Sequence, residues 1–312
     1  MKIILKGFIV VLSAVVLLDW MAGNALRILY FHQKGGTDYH IIHSMEKTNE
    51  DILIFGTSRA QHQYVPNKFS DALGKDCYNV GQAGMNILYT LAVQQAILKR
   101  YTPRIMILDI FPIDLLFKSE AEYNRLSYLL PFVQKHEEIR RIVYLRGPFE
   151  RIKLLSRIYP FNSKILPIIY NNLFEPQYEY SNGYMPLRQT MSGQEKSEMT
   201  YSAFVLDQNK ADAFSAFLEN GLAAGCKVYV VISPLYVDPN ASYLDAYRVA
   251  REIVQRFDLE IWDYGNDLRF ADAKLFKDPI HLNATGAELF SSIVAARLQG
   301  DLNFFSYQNF DE

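Results

Sequence analysis

The chain has 312 residues, of which 50% are hydrophobic and 14% aromatic, and its formal net charge at pH 7 is −2. That length is enough for one large domain with a substantial core, or for two small ones. The near balance of charge gives no electrostatic indication of nucleic acid binding. Cys77 and Cys226 are too few for a disulfide framework and are expected to be small buried apolar residues, and no metal-ligand spacing such as CxxC or HExxH occurs. We therefore expect neither a metal nor a cofactor.

The first 27 residues are predicted to form a helical membrane anchor. Basic residues at the N-terminus precede an apolar run from Gly7 to Leu18. A bilayer core takes about 20 helical residues, and the segment that starts at Lys6 reaches this length before the charge of Arg27. Asp19 falls near the outer end of the segment, where a charge is less costly than at the bilayer centre.

A cleaved signal peptide is the alternative to an anchor, because the apolar run is short. No clear A-x-A cleavage site precedes Arg27, which favours a retained anchor. The charges of Lys2 and Lys6 predict that the N-terminus stays in the cytoplasm and that the rest of the chain is exported. We therefore expect a single-pass membrane protein whose folded domain is periplasmic or otherwise extracytoplasmic.

Beyond the anchor, residues 28–50 are predicted to be a polar tether, and residues 51–312 a single domain. In that domain, short apolar runs alternate with segments whose apolar residues recur at helical spacing. Strands are predicted at 52–55, 77–80, 105–110, 227–233 and 259–264, and helices at 67–73, 86–100, 209–225 and 242–257, with a last helix whose Thr285 and Glu288 have capping-box spacing.

This alternation predicts a three-layer, flavodoxin-like α/β fold, in which a parallel five-stranded sheet has helices on both faces. The run "IMILDI" at 105–110 is apolar almost throughout, as expected for a strand that is covered on both sides. Residues 111–210 interrupt the alternation and are predicted to be a large, mainly helical insertion over the active edge. Ligands of such folds bind at the carboxyl ends of the strands.

The turn after the first strand presents Ser58 at that edge. A serine hydroxyl is a poor nucleophile until a base takes its proton, and an imidazole oriented by a carboxylate serves as that base. Near the C-terminus, "FKDPIHLN" places Asp278 three residues before His281, in the loop after the last strand. Taken singly, these are ordinary turn and helix-capping residues. Together, at the ends of parallel strands, Ser58, Asp278 and His281 are predicted to be a catalytic triad.

These blocks, in this order, resemble the SGNH (GDSL-like) hydrolase superfamily. Gly56-Thr57-Ser58 matches the nucleophile block, and Gly84 in "NVGQAGMN" matches the glycine whose N–H helps that of the serine to bind the oxyanion. Asp278 and His281 match the final Asp-x-x-His block. The resemblance covers about residues 51–114 and 211–298. It implies serine-dependent ester hydrolysis or O-acyl transfer through an acyl-enzyme.

The third block departs from the family pattern. Ile113, followed by Asp114, stands where the family usually has an asparagine whose side chain reaches the oxyanion hole. Loss of one oxyanion donor costs about 10²–10³ in rate, and Arg59 and Asn86 are the candidate substitutes. The other serine-nucleophile pattern, G-x-S-x-G of the α/β-hydrolases, fits less well because Ala60 replaces its second glycine.

Arg59 and His62 follow the serine closely, and each is expected to be either a substrate contact or part of a solvated helix face. Residues 125–157 contain eight basic and three acidic residues with interleaved aromatic side chains. They are expected to face lipid headgroups or an anionic polymer, or else to be a solvated helical surface.

Divergent, membrane-anchored members of the superfamily that move acyl groups on cell-surface polymers also stray from the block pattern, and this chain resembles those most. We therefore expect a membrane-anchored serine esterase or O-acyltransferase of the cell envelope. Its expected partners are the membrane and an acylated carbohydrate or cell-surface polymer, without nucleic acid, and the oligomeric state is left open. The alternative is a non-catalytic cell-envelope binding or assembly protein of the same fold, which the absent asparagine favours.

Overall fold

The computed structural model describes residues 1–117, 119–174, 181–192, 196–199 and 204–308. At residues 197 and 304–308 it describes the backbone but not the side chains. The chain forms two compact units, the first containing residues 1–43 and 123–178 and the second 44–122 and 179–312. Up to residue 124 the elements are α1 Lys2–Phe31, α2 Gly36–Glu46, β1 Ile52–Phe55, α3 Ser58–Gln63, α4 Pro66–Leu73, β2 Cys77–Asn79, α5 Ile87–Leu98, β3 Ile105–Asp109, the 3₁₀ turn Pro112–Leu115 and α6 Glu120–Asn124.

The rest of the chain begins with short helical segments and returns to longer elements after residue 207. These are the 3₁₀ segments Arg125–Phe132 and Tyr159–Phe161, α7 Arg140–Tyr144, α8 Glu150–Lys153, α9 Ile165–Leu173, α10 Gln208–Ala223, β4 Lys227–Ile232, α11 Ala241–Gln255, β5 Ile261–Asp263, the 3₁₀ turns Leu268–Phe270 and Ala273–Leu275, and α12 Ala284–Gln308. Two short ladders pair Ser197–Glu198 with Val237–Asp238 and Phe276–Asp278 with His281–Leu282.

A five-stranded sheet forms the centre of the second unit. All of its pairings are parallel, and the strand order is β2-β1-β3-β4-β5. Every residue of β1, β2 and β3 is buried, as the continuous apolar runs predict. This order is that of a flavodoxin-like doubly wound sheet, so the predicted fold class is confirmed.

Helices cover both faces of the sheet. Ile54 of β1 shares a core with Phe69 of α4 and Phe290 of α12. Its neighbour Phe55 instead packs against Phe217 of α10, with 5.1 Å between the ring centroids. Because side chains alternate along a strand, α4 and α12 lie on one face, and α10 lies on the other with α5 packed beside it.

The predicted ends of these strands and helices lie within two residues of the observed ones, but the start of the last helix is different. α12 begins at Ala284, and Oδ1 of Asn283 accepts a hydrogen bond from the N–H of Gly286 at 3.1 Å. Asn283 is therefore the N-cap, and Thr285 lies inside the helix. Asparagine is among the preferred capping residues, and a second hydrogen bond from Nδ2 to the carbonyl of Lys274, 2.7 Å long, holds it in place.

The structure does not have the predicted tether. Residues 28–31 continue α1, and α2 occupies most of the remaining segment. Ile41, Ile42 and Met45 of α2 are at most 1% exposed, so this segment packs despite its polar composition. The predicted insertion is also divided, since 123–178 group with residues 1–43 and the rest of 111–210 groups with the sheet.

The first unit packs around the C-terminal half of α1. Tyr30 is fully buried, and its ring lies 5.9 Å from that of Phe132 and 5.7 Å from that of Phe161. The N-terminal part of α1 is exposed. With 30 residues, α1 is long and apolar enough to cross a membrane, a test of length and composition that a signal sequence near the N-terminus also passes.

Candidate active site

Ser58 lies at the carboxyl edge of the sheet, just after β1. The strand ends at Phe55, and Gly56 follows with φ +144°, a conformation that favours glycine. A Cβ on Gly56 would also lie 2.8 Å from the carbonyl oxygen of Asp109, at the end of β3. Because Gly56 has no side chain, the chain can turn sharply from β1 into α3. Ser58, which is half-buried, is the first residue of α3.

Asp278 and His281 approach Ser58 from the loop before α12. Oδ1 of Asp278 accepts from the N–H groups of Ile280 at 3.1 Å and His281 at 3.0 Å, which closes a local turn. The same carboxylate lies 2.9 and 3.0 Å from Nδ1 of His281. On the other side of the ring, Nε2 of His281 lies 2.8 Å from Oγ of Ser58, 223 positions away in the chain. The structure thus brings the three predicted residues together.

The charge of Asp278 determines which ring nitrogen of His281 carries a proton. Burial opposes ionisation, but hydrogen bonds and charge from His281, with the N–H of Ile280 and the ammonium of Lys277, lower the pKa of Asp278 to about 2. The ionised carboxylate only accepts hydrogen bonds, so Nδ1 of a neutral His281 must donate. Nε2 is then left as the acceptor for the Ser58 hydroxyl, which is the arrangement a general base requires.

Arg59 is neither a substrate contact nor part of a solvated face. Its side chain is 1% exposed, with Nε 3.4 Å from Asp109 and Nη2 bonded to the carbonyl oxygen (2.5 Å) and Oγ (2.7 Å) of Ser233. Its guanidinium also lies 4.8 Å from the ring centroid of Phe111. Arg59 therefore points into the ends of β3 and β4, where Ser233 and Asp109 accept its hydrogen bonds.

Asp109 is the centre of this buried cluster and was not singled out from the sequence. Besides Arg59, it accepts from the hydroxyl of Tyr64 at 2.8 Å and from the N–H of Ser233 at 3.2 Å. Burial and the charge of Asp109 raise the pKa of Tyr64 well above its usual value, so that its hydroxyl stays a donor. The available signal was an aspartate that ends an otherwise apolar strand, "IMILD".

Two side chains of α3 also hold the carbonyl oxygen of Ile280, the residue before His281. Nε2 of Gln63 lies 3.0 Å from that oxygen, and Nη1 of Arg59 lies 3.5 Å from it. The helix that opens with Ser58 therefore also fixes the backbone that carries His281. These contacts position the serine and the histidine relative to each other.

His62 lies beside His281, with 6.1 Å between the ring centroids and an interplanar angle of 81°. It is 8% exposed, and its Nδ1 lies 2.7 Å from the carbonyl oxygen of Met185. Burial lowers its pKa, although the hydrogen bond with the Met185 carbonyl acts in the opposite direction. His62 therefore does not form a solvated face, and its contact with Met185 attaches residues 181–192 of the predicted insertion to the site.

Gly84 and Asn86 both lie in the loop between β2 and α5. Gly84 has φ +77° in an exposed turn that is closed by a 3.3 Å hydrogen bond from the N–H of Met85 to the carbonyl of Gln82. Oδ1 of Asn86 accepts from the N–H groups of Leu88 and Tyr89, so the contacts of Asn86 are those of the N-cap of α5.

The aligned third-block position provides no polar group. Ile113 lies in the 3₁₀ turn after β3 and is fully buried among apolar residues.

Among the described residues, no three histidine, cysteine, aspartate or glutamate side chains are grouped so that they could hold a metal ion. Cys77 and Cys226 are free and buried.

Comparisons with known proteins find only distant similarity. No protein-family model matches the chain, and no curated protein matches it. Among solved structures, the chain is similar to a lipase/acylhydrolase from Enterococcus faecalis, with 11% identity, a TM-score of 0.42 and coverage of 80% of this chain and 95% of that one. It is also similar to an active site mutant of a family two carbohydrate esterase from Clostridium thermocellum, with 7% identity, a TM-score of 0.37 and coverage of 81% and 64%.

These similarities concern the general fold and assign no activity to this chain. The chain's own sheet, whose parallel strands follow the doubly wound order, agrees with the fold class predicted from the sequence. The nucleophile block after β1 and the Asp-x-x-His block before α12 occupy one edge of that sheet.

Proposed function

We propose that the chain is a serine-dependent esterase or O-acyltransferase of the SGNH type, with Ser58, His281 and Asp278 as its catalytic triad. The observation that carries the proposal is the continuous set of hydrogen bonds from the Ser58 hydroxyl through both ring nitrogens of His281 to the Asp278 carboxylate. Its distances, 2.8 and 2.9 Å, are those of a nucleophile and its base.

In the first half-reaction, Oγ of Ser58 attacks the carbonyl carbon of an ester while Nε2 of His281 takes the hydroxyl proton. Asp278 stabilises the resulting imidazolium. The backbone N–H groups of Ser58 and Gly84 donate to the tetrahedral oxyanion. The intermediate then expels the alcohol, which receives the proton from His281, and the acyl group remains on Ser58.

In the second half-reaction, His281 takes a proton from water or from a sugar hydroxyl, whose oxygen attacks the acyl-enzyme. The return of that proton to Oγ of Ser58 releases a carboxylic acid or a new ester. Both products follow from one acyl-enzyme, so the acceptor distinguishes an esterase from a transferase. We propose an acylated carbohydrate or another cell-surface polymer as the substrate, with α1 as an anchor whose N-terminus is cytoplasmic. The length of α1 and the charges of Lys2 and Lys6 support this placement.

The test of the triad is covalent labelling of the full chain in detergent with a fluorophosphonate probe, which reacts with activated serines. Wild type should be labelled, and Ser58→Ala and His281→Ala should not. Ser292→Ala removes an exposed hydroxyl of α12 and should label like wild type. A folded wild-type protein that stays unlabelled, or a Ser58→Ala variant that labels normally, would contradict the proposal.

The test of the acceptor uses p-nitrophenyl acetate with and without a soluble glucan oligosaccharide. An esterase releases acetate in both reactions, whereas a transferase forms acetylated oligosaccharide at the expense of free acetate. Mass spectrometry of the sugar gives the answer. For location, protease added to spheroplasts should digest the folded domain, and the N-terminus should remain at or near Met1.

A second candidate is a non-catalytic binding or assembly protein of the cell envelope. Two observations favour it. Ile113, at the third-block position, is buried and apolar, and the Arg59 guanidinium donates its hydrogen bonds to Ser233 inside the protein. The fluorophosphonate experiment distinguishes the two candidate functions. A binding protein does not require an activated serine, so the folded protein should then stay unlabelled.

A further inference from the structure

The first unit carries an apolar surface that the described part of the chain leaves exposed. On α9 and at the residue after it, exposed large side chains recur at positions i, i+3, i+4, i+7 and i+8, which is the spacing of one helix face. Ile168, on the opposite side of α9, is fully buried. The exposed stripe consists of Leu166, Ile169, Tyr170, Leu173 and Phe174, which are 78, 44, 55, 71 and 58% exposed.

A second stripe of exposed apolar side chains lies on α8 and on the residues next to its two ends. Phe149, Ile152 and Leu155 follow each other at intervals of three residues and are 63, 64 and 80% exposed. The basic residues Arg151 and Lys153 alternate with them and are also exposed. Large apolar side chains interspersed with basic ones are typical of segments that lie in the interface of a membrane.

Both stripes belong to a segment that is bound along α1. Asp19 of α1 accepts from the hydroxyl of Ser156 at 2.5 Å and from the N–H groups of Arg157 and Ile158 at 2.7 and 3.3 Å. Ten residues further along α1, the carbonyl of Leu29 accepts from Nδ2 of Asn172 at 2.9 Å. At 1.5 Å per residue these contacts lie about 15 Å apart along the axis, so residues 156–172 accompany this part of the helix.

The exposed part of α1 matches the thickness of a bilayer core. Its exposed large apolar side chains are continuous from Ile3 to Met21, which corresponds to about 27 Å of helix against a hydrocarbon core of about 30 Å. The outer boundary of the bilayer then falls near Asp19, where residues 156–158 are bound. Asp19 can lie at this boundary because three donors satisfy its carboxylate.

We propose that α1 is tilted in the bilayer, as transmembrane helices commonly are, and that residues 149–155 and 166–174 thereby lie in the interfacial layer of the bilayer that α1 crosses. The occupant of the exposed stripes is lipid: their aliphatic side chains enter the acyl boundary, Tyr170 and Phe174 take positions of the interfacial aromatic belt, and Arg151 and Lys153 meet headgroup phosphates. The first unit is then seated on the membrane through a second contact beside its anchor. The proposal rests on α1 as a membrane span and is independent of the ester chemistry.

Depth-dependent quenching tests the proposal on the full chain in vesicles of phosphatidylcholine and phosphatidylglycerol. An NBD fluorophore is attached at Leu155→Cys or Leu173→Cys, and the vesicles contain lipids with a doxyl quencher at carbon 5 or carbon 12. Val10→Cys reports on the span. Leu268→Cys is the matched control, because this leucine is 89% exposed and belongs to the second unit. Wild type, whose two cysteines are buried, gives the background labelling.

We expect the carbon 5 quencher to reduce the fluorescence at Leu155 and Leu173, the carbon 12 quencher to act most strongly at Val10, and neither to affect Leu268. Probes at Leu155 and Leu173 that behave like the Leu268 probe, while Val10 is quenched, would overturn the proposal and leave the anchor intact. Unquenched stripe probes whose emission changes with protein concentration would overturn it in favour of a second copy. An unquenched Val10 probe would remove both the span and the proposal. Fluorophosphonate labelling in the same vesicles reports separately on the ester chemistry.

Discussion

Replacing Arg59 by methionine removes the cation from a pair in which both side chains are 1% exposed, and so leaves the carboxylate of Asp109 buried without a counter-charge. Breaking a buried pair in this way typically costs about 3–5 kcal/mol. The hydroxyl of Tyr64 and the N–H of Ser233 still donate to Asp109, which places the expected loss near the lower end, at about 3 kcal/mol. That is a large part of the ~5–15 kcal/mol by which folded proteins are usually stable.

Arg104→Met is the matched control for this change. Arg104 lies 3.1 Å from Asp51, but its side chain is 69% exposed, and exposed pairs contribute about 0–1 kcal/mol. The assay is urea unfolding of the full chain in mild detergent, followed by the fluorescence of Trp262, which is buried in β5. A Trp20→Phe background removes the emission of the other tryptophan.

The double variant Arg59→Met, Asp109→Leu completes the experiment. It removes both charges, so it should recover part of the stability that the single change loses. An Arg59→Met variant no less stable than Arg104→Met would refute the reasoning. So would a double variant whose loss is the sum of the two single losses, because the cost would then not come from an uncompensated buried charge.

Three further predictions concern the site. Ser58→Ala and His281→Ala should each remove nearly all turnover of p-nitrophenyl acetate, and the double variant should be hardly worse than either, whereas additive losses would argue against a unit. Gly84→Ala keeps the N–H but strains the φ +77° turn that positions it, so if this N–H binds the oxyanion kcat should fall, by at most the about 10²–10³-fold that loss of a donor costs, while Gly74→Ala, at φ +61° in open space, should reproduce the backbone strain without the kinetic loss. Asp278 has a pKa of about 2 in the fold against an ordinary 3.8, so its stabilising contribution is complete above about pH 4 and is lost as the pH falls towards 2. Urea unfolding between pH 7 and 2 should therefore show a smaller acid-induced loss for Asp278→Asn than for wild type.

The strands and long helices of the second unit follow from local patterns in the sequence. Runs such as Ile52–Phe55 and Ile105–Asp109 are apolar throughout because both faces of a parallel sheet are covered, and such runs are visible without any knowledge of contacts. The spacing predicts the cap of α12 at Thr285, two residues after the observed Asn283, because both are acceptable capping residues. Their choice depends on a contact with Lys274, which the spacing does not reveal.

α2 is not predictable from the local sequence, for a related reason. The composition of residues 28–50 is polar, and its few apolar residues do not form a long periodic pattern. The helix is held by partners that are distant in sequence, such as Lys164, which pairs with Asp38 at 2.5 Å. Isolated helices of this length are marginal in water, so packing supplies most of their stability.

The sequence by itself determined the class of fold, the edge at which the candidate site lies and the three side chains that meet there, Ser58, His281 and Asp278, because each follows from a short block and its position relative to a strand. Only the tertiary structure decided what the neighbouring polar residues do. Arg59 and His62 are separated by one helical turn of α3, and sequence spacing is compatible with contact to substrate or to solvent. Arg59 instead turns into the ends of β3 and β4, and His62 binds the carbonyl of Met185, 123 residues away. The direction of such side chains depends on which distant donors and acceptors are buried beside them, and a buried polar group must find its partner wherever the fold provides one.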